Sequence, residues 1–404
     1  MKIISADVMQ VPSADPSFSG NSKGSTEDWS PIVLRLNTDA GISGFGEAGL
    51  AYGKGWRGGL GMLRDFCHVI IGEDPLNIEK IWHQLQTTTY WGLAGGVVVN
   101  SAISAIDIAL WDIKGKYYRT PIYQLLGGKT NDHLRTYASQ LQYNWGAHIE
   151  KERLLTPEDY AEVTRKVMSE GYDALKFDPI IFSDQPDGGG QWPTTGPLTT
   201  KVMKTTYDRV KAMRDAGGDD LDIIIDMHAN TDTTAAIQIG QLLEPLHIWY
   251  YEEPVSPLNP DNTLEVAQHV NIPIAAGERV FTRWGFRELF EKRAIKVVQP
   301  DLCLCGGISE AKKICDMAEV YDINAQIHVC GSPIATAAAL QTEAAISNFV
   351  IHEQYQRALN ENDRKTCIHD YQPENGFFKV PDLPGLGQEL TPEAIAKSQI
   401  FTVE

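Results

Sequence analysis

Three acidic residues are spaced as metal ligands would be in a repeating fold. Asp226, Glu252 and Glu278 follow one another at intervals of 26 residues, at the ends of the short apolar runs "DIIID", "IWYYE" and "IPIAAGE". Carboxylates that converge without a counter-ion repel and raise one another's pKa values. A divalent cation removes the repulsion, and all-oxygen ligation favours Mg²⁺, with Mn²⁺ as an alternative, over zinc. The spacing therefore predicts a metal site.

The next apolar runs also end in ionisable residues. Asp301 ends "AIKVVQPD", and His328 follows in "NAQIHV". A carboxylate beside an imidazole fixes its tautomer and orientation, so the pair predicts a general base. Helix caps and solvated loop groups would explain one or two such residues, but not a series over consecutive strands. Glu353, in "FVIHE", is predicted to bind the substrate.

Two further pairs of polar residues are each separated by one apolar residue. Asp226 and His228 frame Met227, and Lys176 and Asp178 frame Phe177. Residues two apart in a strand point to the same side, so we expect His228 beside the metal. The alternative is a hydrogen-bonded structural histidine. Lys176 and Asp178 are predicted to bind the substrate. Lys176 would contact the substrate carboxylate, or would instead only neutralise Asp178.

A barrel of strands and helices would present these groups together. From about residue 134, eight short apolar runs alternate with longer amphipathic stretches. This alternation indicates a parallel sheet, and the lack of a dinucleotide motif favours a (β/α) barrel over a doubly wound sheet. The match of Gly44 to Gly49 to G-x-G-x-x-G follows a hairpin strand and opens into no apolar helix, so we reject it as a nucleotide motif.

The chain outside the barrel is predicted to form a second domain. Residues 1–128 combine strand and helix patterns, and the tail, 371–404, is expected to return to them, which leaves 129–370 for the barrel. The polar, Gly/Ser-rich stretch 13–29 is predicted to be a lid. Substrate stereochemistry is expected to depend on this stretch, on Tyr90 and Trp91, and on the insertion 187–197.

The whole pattern resembles the enolase superfamily, in its mandelate racemase-like branch. The resemblance is carried by the acidic triad, by "QPD" before His328, by "GISGFGEAG" and by "PGLGQEL" near the end. It implies a modified (β/α)₇β barrel of the TIM type with an α+β capping domain. It also implies Mg²⁺-assisted removal of a proton α to a carboxylate, giving an enediolate. Of the adjacent Glu252 and Glu253, the family's pattern favours Glu252 as the ligand.

The resemblance also separates the possible reactions. Racemases of this branch commonly carry a second lysine where Asp178 stands here, so opposite-face chemistry is disfavoured. His228 is similar to the histidine of acid-sugar dehydratases that protonates the departing hydroxyl, since elimination of hydroxide needs an acid. We therefore predict a hydro-lyase that converts an aldonate, such as galactonate, gluconate or mannonate, to a 2-keto-3-deoxy acid.

Two alternatives stay open at this point. One is an epimerase, racemase or cycloisomerase on the same scaffold, which would exchange the α proton without forming a keto acid. The other is a non-catalytic regulatory protein that keeps the metal ligands as a relic. The intact Asp301, His328 and His228 argue against the second, because a binding protein needs no general base.

Composition excludes several other classes of protein. The net charge of −18 and the absence of a Lys/Arg cluster argue against a nucleic-acid partner. No apolar run approaches the ~20 residues of a membrane span, and the N-terminus lacks the pattern of a signal peptide. The six cysteines form no CxxC pair and are expected to be reduced thiols. We expect a cytoplasmic homo-oligomer that acts on a small sugar acid.

Overall fold

The computed structural model describes residues 1–12, 29–52, 55–147, 153–183 and 194–404. The predicted lid lies outside these residues apart from Trp29, and so does most of the predicted insertion 187–197. The strands are β1 (Ile3–Gln10), β2 (Ile32–Thr38), β3 (Ser43–Ala48), β4 (His133–Ser139), β5 (Ala174–Phe177), β6 (Asp222–Asp226), β7 (Ile248–Glu252), β8 (Ile274–Ala276), β9 (Val297–Val298), β10 (Asn324–Ala325), β11 (His352–Tyr355), β12 (Phe377–Lys379) and β13 (Gln399–Val403). The helices are α1 (Trp56–Ile70), α2 (Ile78–Thr87), α3 (Val97–Tyr118), α4 (Ile122–Leu125), α5 (Pro157–Ser169), α6 (Thr200–Gly217), α7 (Thr233–Leu243), α8 (Pro260–His269), α9 (Thr282–Glu291), α10 (Gly307–Glu319), α11 (Pro333–Glu343), α12 (Glu361–Arg364) and α13 (Pro392–Lys397).

The capping domain is built on an antiparallel sheet in the order β13-β1-β2-β3. The C-terminal strand β13 pairs with β1, as expected for a tail that returns to the first domain. Helix α3 lies against the hairpin of β2 and β3 at very short range. A Cβ at Gly44 would lie 2.2 Å from the carbonyl oxygen of Ala109, and one at Gly46 would lie 2.0 Å from that of Ala105. The glycines of the rejected nucleotide motif thus permit close packing of a helix on a sheet.

The second sheet forms the barrel predicted from the alternating pattern. Strands β4 to β10 are neighbours in chain order and parallel, and β11 pairs with β4. The N–H of Ala325 donates to the carbonyl of Asn348 at 2.8 Å, and that of Val350 donates to Ala325 at 3.0 Å, which closes the ring. β4 to β10 are each followed by a helix of ten or more residues. β11 is followed only by the four-residue α12.

This arrangement is a (β/α)₇β barrel with an α+β capping domain, so the predicted fold class is confirmed. The strand β12 pairs antiparallel with the N-terminal end of β4 and adds to the same sheet. The domain limits at residues 128 and 370 stay a prediction. No helix in the described part of the chain is long and apolar enough to cross a membrane. All six cysteines are free thiols, as expected.

The two domains meet through buried carboxylates. Glu47, in β3, is fully buried and accepts hydrogen bonds from the N–H of Ser332 at 3.0 Å and from its hydroxyl at 2.5 Å. Asp107, in α3, is 1% exposed and accepts from the N–H of Ser309 at 2.9 Å. Burial raises the pKa of Glu47 to about 7, and the nearby charge of Asp301 adds to the rise, against the opposing effect of the Ser332 bonds.

The raised pKa of Glu47 predicts a loss of stability with rising pH. The folded chain keeps a proton that the unfolded chain releases near pH 4.5, so the free energy of unfolding falls as pH rises from there to about 7. Glu47→Gln cannot titrate. The free energy of unfolding of this variant, relative to the wild type, should therefore rise by about 3 kcal/mol between pH 5 and pH 8. Urea unfolding at both pH values measures it, and a constant difference would contradict the pKa assignment.

Candidate active site

The predicted metal ligands lie together at the C-terminal ends of three neighbouring strands. Asp226 is the last residue of β6 and Glu252 the last of β7, and the two are direct partners in the strand register. Glu278 follows β8 after Gly277. The three residues are 1%, 1% and 8% exposed, respectively. The sequence interval of 26 residues thus corresponds to one strand and one helix of the barrel.

Lys176, in β5, points into the middle of this group. Its Nζ lies 2.6 Å from Glu252 Oε1, 2.9 Å from Glu353 Oε1 and 3.4 Å from Asp226 Oδ2. Burial opposes its charge, yet the surrounding carboxylates, with Glu252 foremost, hold the pKa of Lys176 well above its usual value. The side chain is therefore an ammonium ion. Its ion pairs are with these three carboxylates, whereas Asp178 is bound by His228.

The two adjacent glutamates of "YEEP" point to different partners. Glu252 Oε2 accepts a hydrogen bond from Gln299 Nε2 at 2.6 Å, inside the barrel. Glu253 has a left-handed backbone, with φ 36°, and its carboxylate contacts Arg279, which also contacts Glu278. Gln299 was not predicted as a site residue. Its position two residues before Asp301 in "QPD" could have predicted it, since alternate residues of a strand point to the same side.

The donor atoms of the triad suit a hard divalent cation. Asp226 Oδ2 is buried and has no hydrogen-bond donor, although His228 Nε2 and Lys176 Nζ lie within 3.4 Å of it. Three carboxylates from neighbouring strands offer the oxygen ligands that Mg²⁺ prefers. Among the described residues, however, no three His, Cys, Asp or Glu side chains are placed so that they could hold a metal ion directly. Glu252 and Glu278 are instead turned towards the cations of Lys176 and Arg279.

His328 and Asp301 form the pair predicted for the general base. His328 Nδ1 lies 2.7 Å from Asp301 Oδ2, and the other ring nitrogen, Nε2, lies 3.1 Å from Glu278 Oε2. Asp301 Oδ1 accepts from the N–H of Cys303 at 2.7 Å. Burial disfavours the imidazolium, but Glu278 and then Asp301 raise the pKa of His328 to about 10. The carboxylate of Asp301 thus fixes the tautomer that directs Nε2 to the triad.

His228 forms a second Asp–His pair, which the sequence did not predict. Its Nδ1 lies 3.1 Å from Asp178 Oδ2, and its Nε2 lies 3.3 Å from Asp226 Oδ2 and 3.1 Å from Gln140 Nε2. Burial lowers the pKa of His228, but Asp226 and Asp178 outweigh this and raise it to about 9. The two carboxylates therefore favour the doubly protonated, charged ring.

The ring of His228 lies beside Asp226 as predicted, but the backbone there is not the strand that was predicted. Strand β6 ends at Asp226, and His228 and Ala229 have φ angles of 48° and 55°. A left-handed turn, and not the alternation of a strand, brings the ring beside Asp226. The N–H of His228 donates to Asp226 Oδ1 at 2.9 Å and holds this turn.

Asp178 occupies the position at which the branch's racemases commonly carry a second lysine. Its Oδ1 accepts from the N–H groups of Ile180 and Ile181, both at 2.9 Å, which leaves Oδ2 for His228. The carboxylate therefore orients the ring of His228 as Asp301 orients that of His328. Asp178 thus orients a histidine in this structure. Its predicted contact with substrate stays a prediction.

Glu353 lies in β11 and is 2% exposed. Its Oε1 accepts from the hydroxyl of Ser139 at 2.7 Å, and its Oε2 accepts from the N–H of Val329 at 3.0 Å. Burial alone would raise its pKa, but Lys176 and then His328 lower it to about 2. The contacts observed here support the strand ends around Lys176. The predicted contact of Glu353 with substrate stays a prediction.

Aromatic residues line the rim near the predicted lid. Trp29 is 3% exposed, stacks on Tyr52 with ring centroids 6.1 Å apart, and lies 5.8 Å from the ring of Tyr355. The end of the predicted lid is thus anchored between the capping domain and β11. Tyr90 and Trp91 are 79% and 65% exposed, and their predicted influence on substrate stereochemistry stays a prediction.

Comparison with known families agrees with the fold. Residues 5–127 match the mandelate racemase / muconate lactonizing enzyme N-terminal domain, and residues 159–394 match the enolase C-terminal domain-like family. The chain therefore belongs to the enolase superfamily, as its sequence resemblance implied.

Individual relatives narrow the class further. The chain is 35% identical to a D-xylonate dehydratase of Haloferax volcanii, over 90% of this chain and 84% of that one. It is 32% identical to a D-galactonate dehydratase of Variovorax paradoxus, over 90% of each chain. A solved structure of an enolase superfamily member from Salmonella typhimurium is 52% identical over the full length of both chains, with a TM-score of 0.94. The dehydratases among these relatives confirm the prediction of a hydro-lyase.

Proposed function

We propose that this protein is a Mg²⁺-dependent dehydratase that converts an aldonate to a 2-keto-3-deoxy acid. The observation that carries the proposal is the presence of two Asp–His pairs, each with its Nε2 directed to the acidic triad. Dehydration needs one group that removes the α proton and a second that protonates the departing hydroxyl. The names of the relatives support a sugar acid as the substrate.

In this proposal His328 is the base. Its Nδ1–H donates to Asp301, which leaves Nε2, facing the triad, as the basic atom. The carboxylate of Glu278 is the main charge that raises the pKa of His328, and a metal ion on the triad would neutralise that carboxylate and so favour the neutral ring. Nε2 takes the proton α to the substrate carboxylate, and the C–H electron pair moves into an enediolate. The imidazolium that forms is stabilised by the carboxylate of Asp301.

His228 supplies the proton for the leaving group. Asp178, which is not a proposed metal ligand, favours the protonated ring and holds its Nδ1 so that Nε2 points to the cleft. Transfer of the Nε2 proton to the β-hydroxyl lets it leave as water while the enediolate electrons form the C=C bond of an enol. Tautomerisation of this enol gives the keto acid.

Asp226, Glu252 and Glu278 are the residues that would hold the metal. When bound there, Mg²⁺ supplies charge stabilisation for a substrate carboxylate that gains negative charge as the α proton leaves. Mn²⁺ suits the same oxygen ligands. Lys176 and Arg279, which now neutralise Glu252 and Glu278, lie where they could pair with Glu353 and Glu253 instead.

The position of Lys176 disfavours the epimerase alternative. Epimerisation by two bases needs an unprotonated group on the opposite face of the α carbon. Lys176 is the basic side chain of the second barrel strand. Besides the proposed metal ligands Glu252 and Asp226, Glu353 lies 2.9 Å from its Nζ and favours the ammonium ion. An ammonium ion has no lone pair to accept a proton.

A screen of aldonates and aldarates with an assay for 2-keto acids tests the proposal. We expect at least one aldonate to give a keto acid, activity to vanish with a chelator, and Mg²⁺ or Mn²⁺ to restore it. Exchange of the α proton with solvent without a keto acid would favour the epimerase. No metal-dependent turnover of any sugar acid would favour the non-catalytic alternative.

A further inference from the structure

The loop that carries His328 is held at one end by a residue of the capping domain. Ser332 is the N-cap of α11 and lies four residues after His328. Its N–H and hydroxyl both donate to the buried carboxylate of Glu47. The first N–H groups of a helix lack acceptors within the helix, and here the acceptor comes from another domain.

The other end of the same loop is held inside the barrel. The N–H of His328 donates to the carbonyl of Pro300 at 3.3 Å, and that of Val329 donates to Glu353 at 3.0 Å. Gly331 lies between these two attachment points and can pack closely against Glu47 because it has no side chain: a Cβ there would lie 2.8 Å from Glu47 Oε1. The segment 328–332 is therefore held by hydrogen bonds at both ends. Glu47 accepts the bonds at the end near Ser332.

The end of the Glu47 strand also contacts the loop that carries Asp301. The N–H of Gly49 donates to the carbonyl of Cys303 at 2.9 Å, and the N–H of Cys303 donates to Asp301 Oδ1 at 2.7 Å. A Cβ at Gly49 would lie 2.7 Å from Cγ of Leu304, so the two chains are in close contact. One short stretch of the capping domain thus touches the loops of both members of the pair.

We propose that Glu47 is a positioning residue, which sets the His328 ring against Asp301 by holding the loop 328–332 from the capping domain. The proposal rests on the proposed function insofar as His328 is the base of the reaction. Glu47 itself touches neither substrate nor metal. A displacement of the base by about 1 Å can reduce the rate roughly 100-fold, so loss of this contact should lower kcat.

Asp107 offers a matched control at the same domain interface. It accepts from the N–H of Ser309 at the N-terminus of α10, and a Cβ at Gly307 would lie 2.3 Å from its Oδ2. The contact is of the same kind as that of Glu47, between a buried carboxylate and the start of a barrel helix. Ser309, however, lies within α10, eight residues beyond Asp301 and outside the loop 328–332. Loss of the Asp107 contact should therefore not release the loop that carries His328.

The experiment compares Glu47→Leu, Glu47→Gln and Asp107→Leu. Glu47→Leu removes the acceptor and shortens the side chain by one atom, so we expect kcat to fall roughly 10- to 100-fold with KM and Mg²⁺ affinity nearly unchanged. Glu47→Gln can still accept from the N–H of Ser332 and should stay within roughly threefold of the wild type. Asp107→Leu should lower the melting temperature but leave kcat within roughly threefold. If Glu47→Leu fails to fold, Ser332→Ala should lower kcat in the same direction.

A second readout does not depend on turnover. The Nδ1 proton of His328, shared with Asp301 at 2.7 Å, should give a far-downfield proton resonance in the wild type. We expect Glu47→Leu to broaden or shift this resonance and Asp107→Leu to leave it in place. A wild type without activity but with this pattern would reject the proposed function and retain the positioning role. An unchanged resonance and unchanged kcat in folded Glu47→Leu or Ser332→Ala would overturn the positioning role.

Discussion

Glu252→Gln is expected to abolish turnover and to weaken Mg²⁺ binding sharply. The substitution removes one of three carboxylates, and two leave too few hard ligands for a cation that dehydrates reluctantly. Because Glu252 also neutralises Lys176 at 2.6 Å, the variant leaves that ammonium ion beside the remaining ligands, which disfavours a cation further. Calorimetric titration with Mg²⁺ and the keto-acid assay measure both effects.

Glu253→Gln is the matched control for this prediction. The two glutamates are adjacent and equally buried, but Glu253 turns away and contacts Arg279. We expect the Glu253 variant to retain measurable Mg²⁺ binding and turnover. Loss of metal binding in Glu253→Gln together with normal binding in Glu252→Gln would show that the assignment of the ligand is shifted by one residue.

The barrel could be predicted because its signals are local. Most of the strands are short apolar runs with a polar residue at the end or just after it, and β4 to β10 are each followed by a stretch long enough for a helix. Parallel strands present their C-terminal ends at one mouth, so the placement of Asp226, Glu252 and Glu278 followed from the order of strands alone. The pairing of Asp301 with His328 followed in the same way.

The second Asp–His pair had no comparable signal. It depends on positive φ angles at His228 and Ala229. Neither residue type predicts a positive φ angle, as a glycine would. Counting along a straight strand placed the ring near Asp226 but gave no reason to connect it with Asp178. Conformation at a strand end is decided by the hydrogen bonds made there, which the sequence does not display.

Contacts between the domains were also invisible in the sequence. Glu47 and Ser332 are 285 residues apart, and no sequence pattern at either residue predicts a contact with the other. The stretch "GFGEAG" drew attention as a nucleotide motif, whereas its glycines serve the packing of α3 and its glutamate contacts the barrel. The docking of one domain on another depends on matching surfaces, and periodicity in one chain segment carries no information about its partner.

Replacement of His328 and replacement of His228 should block the reaction at different steps. His328→Asn removes the base, so we expect neither a keto acid nor exchange of the α proton. His228→Asn keeps His328 with its partner Asp301, so the enediolate should still form. The new amide can still donate to Asp178, which makes the replacement a mild one for the fold. Expulsion of the β-hydroxyl should stall, because no acid remains to protonate it.

Deuterium then separates the two roles in His228→Asn. The enediolate that cannot eliminate is reprotonated by His328 from the face on which the proton was removed. In D₂O the recovered substrate should therefore carry deuterium at the α position with retained configuration, while little keto acid accumulates. Mass spectrometry of the recovered substrate measures the exchange. A folded, metal-loaded His228→Asn that exchanges nothing would contradict this division of labour, since His228 would then be needed for removal of the proton as well.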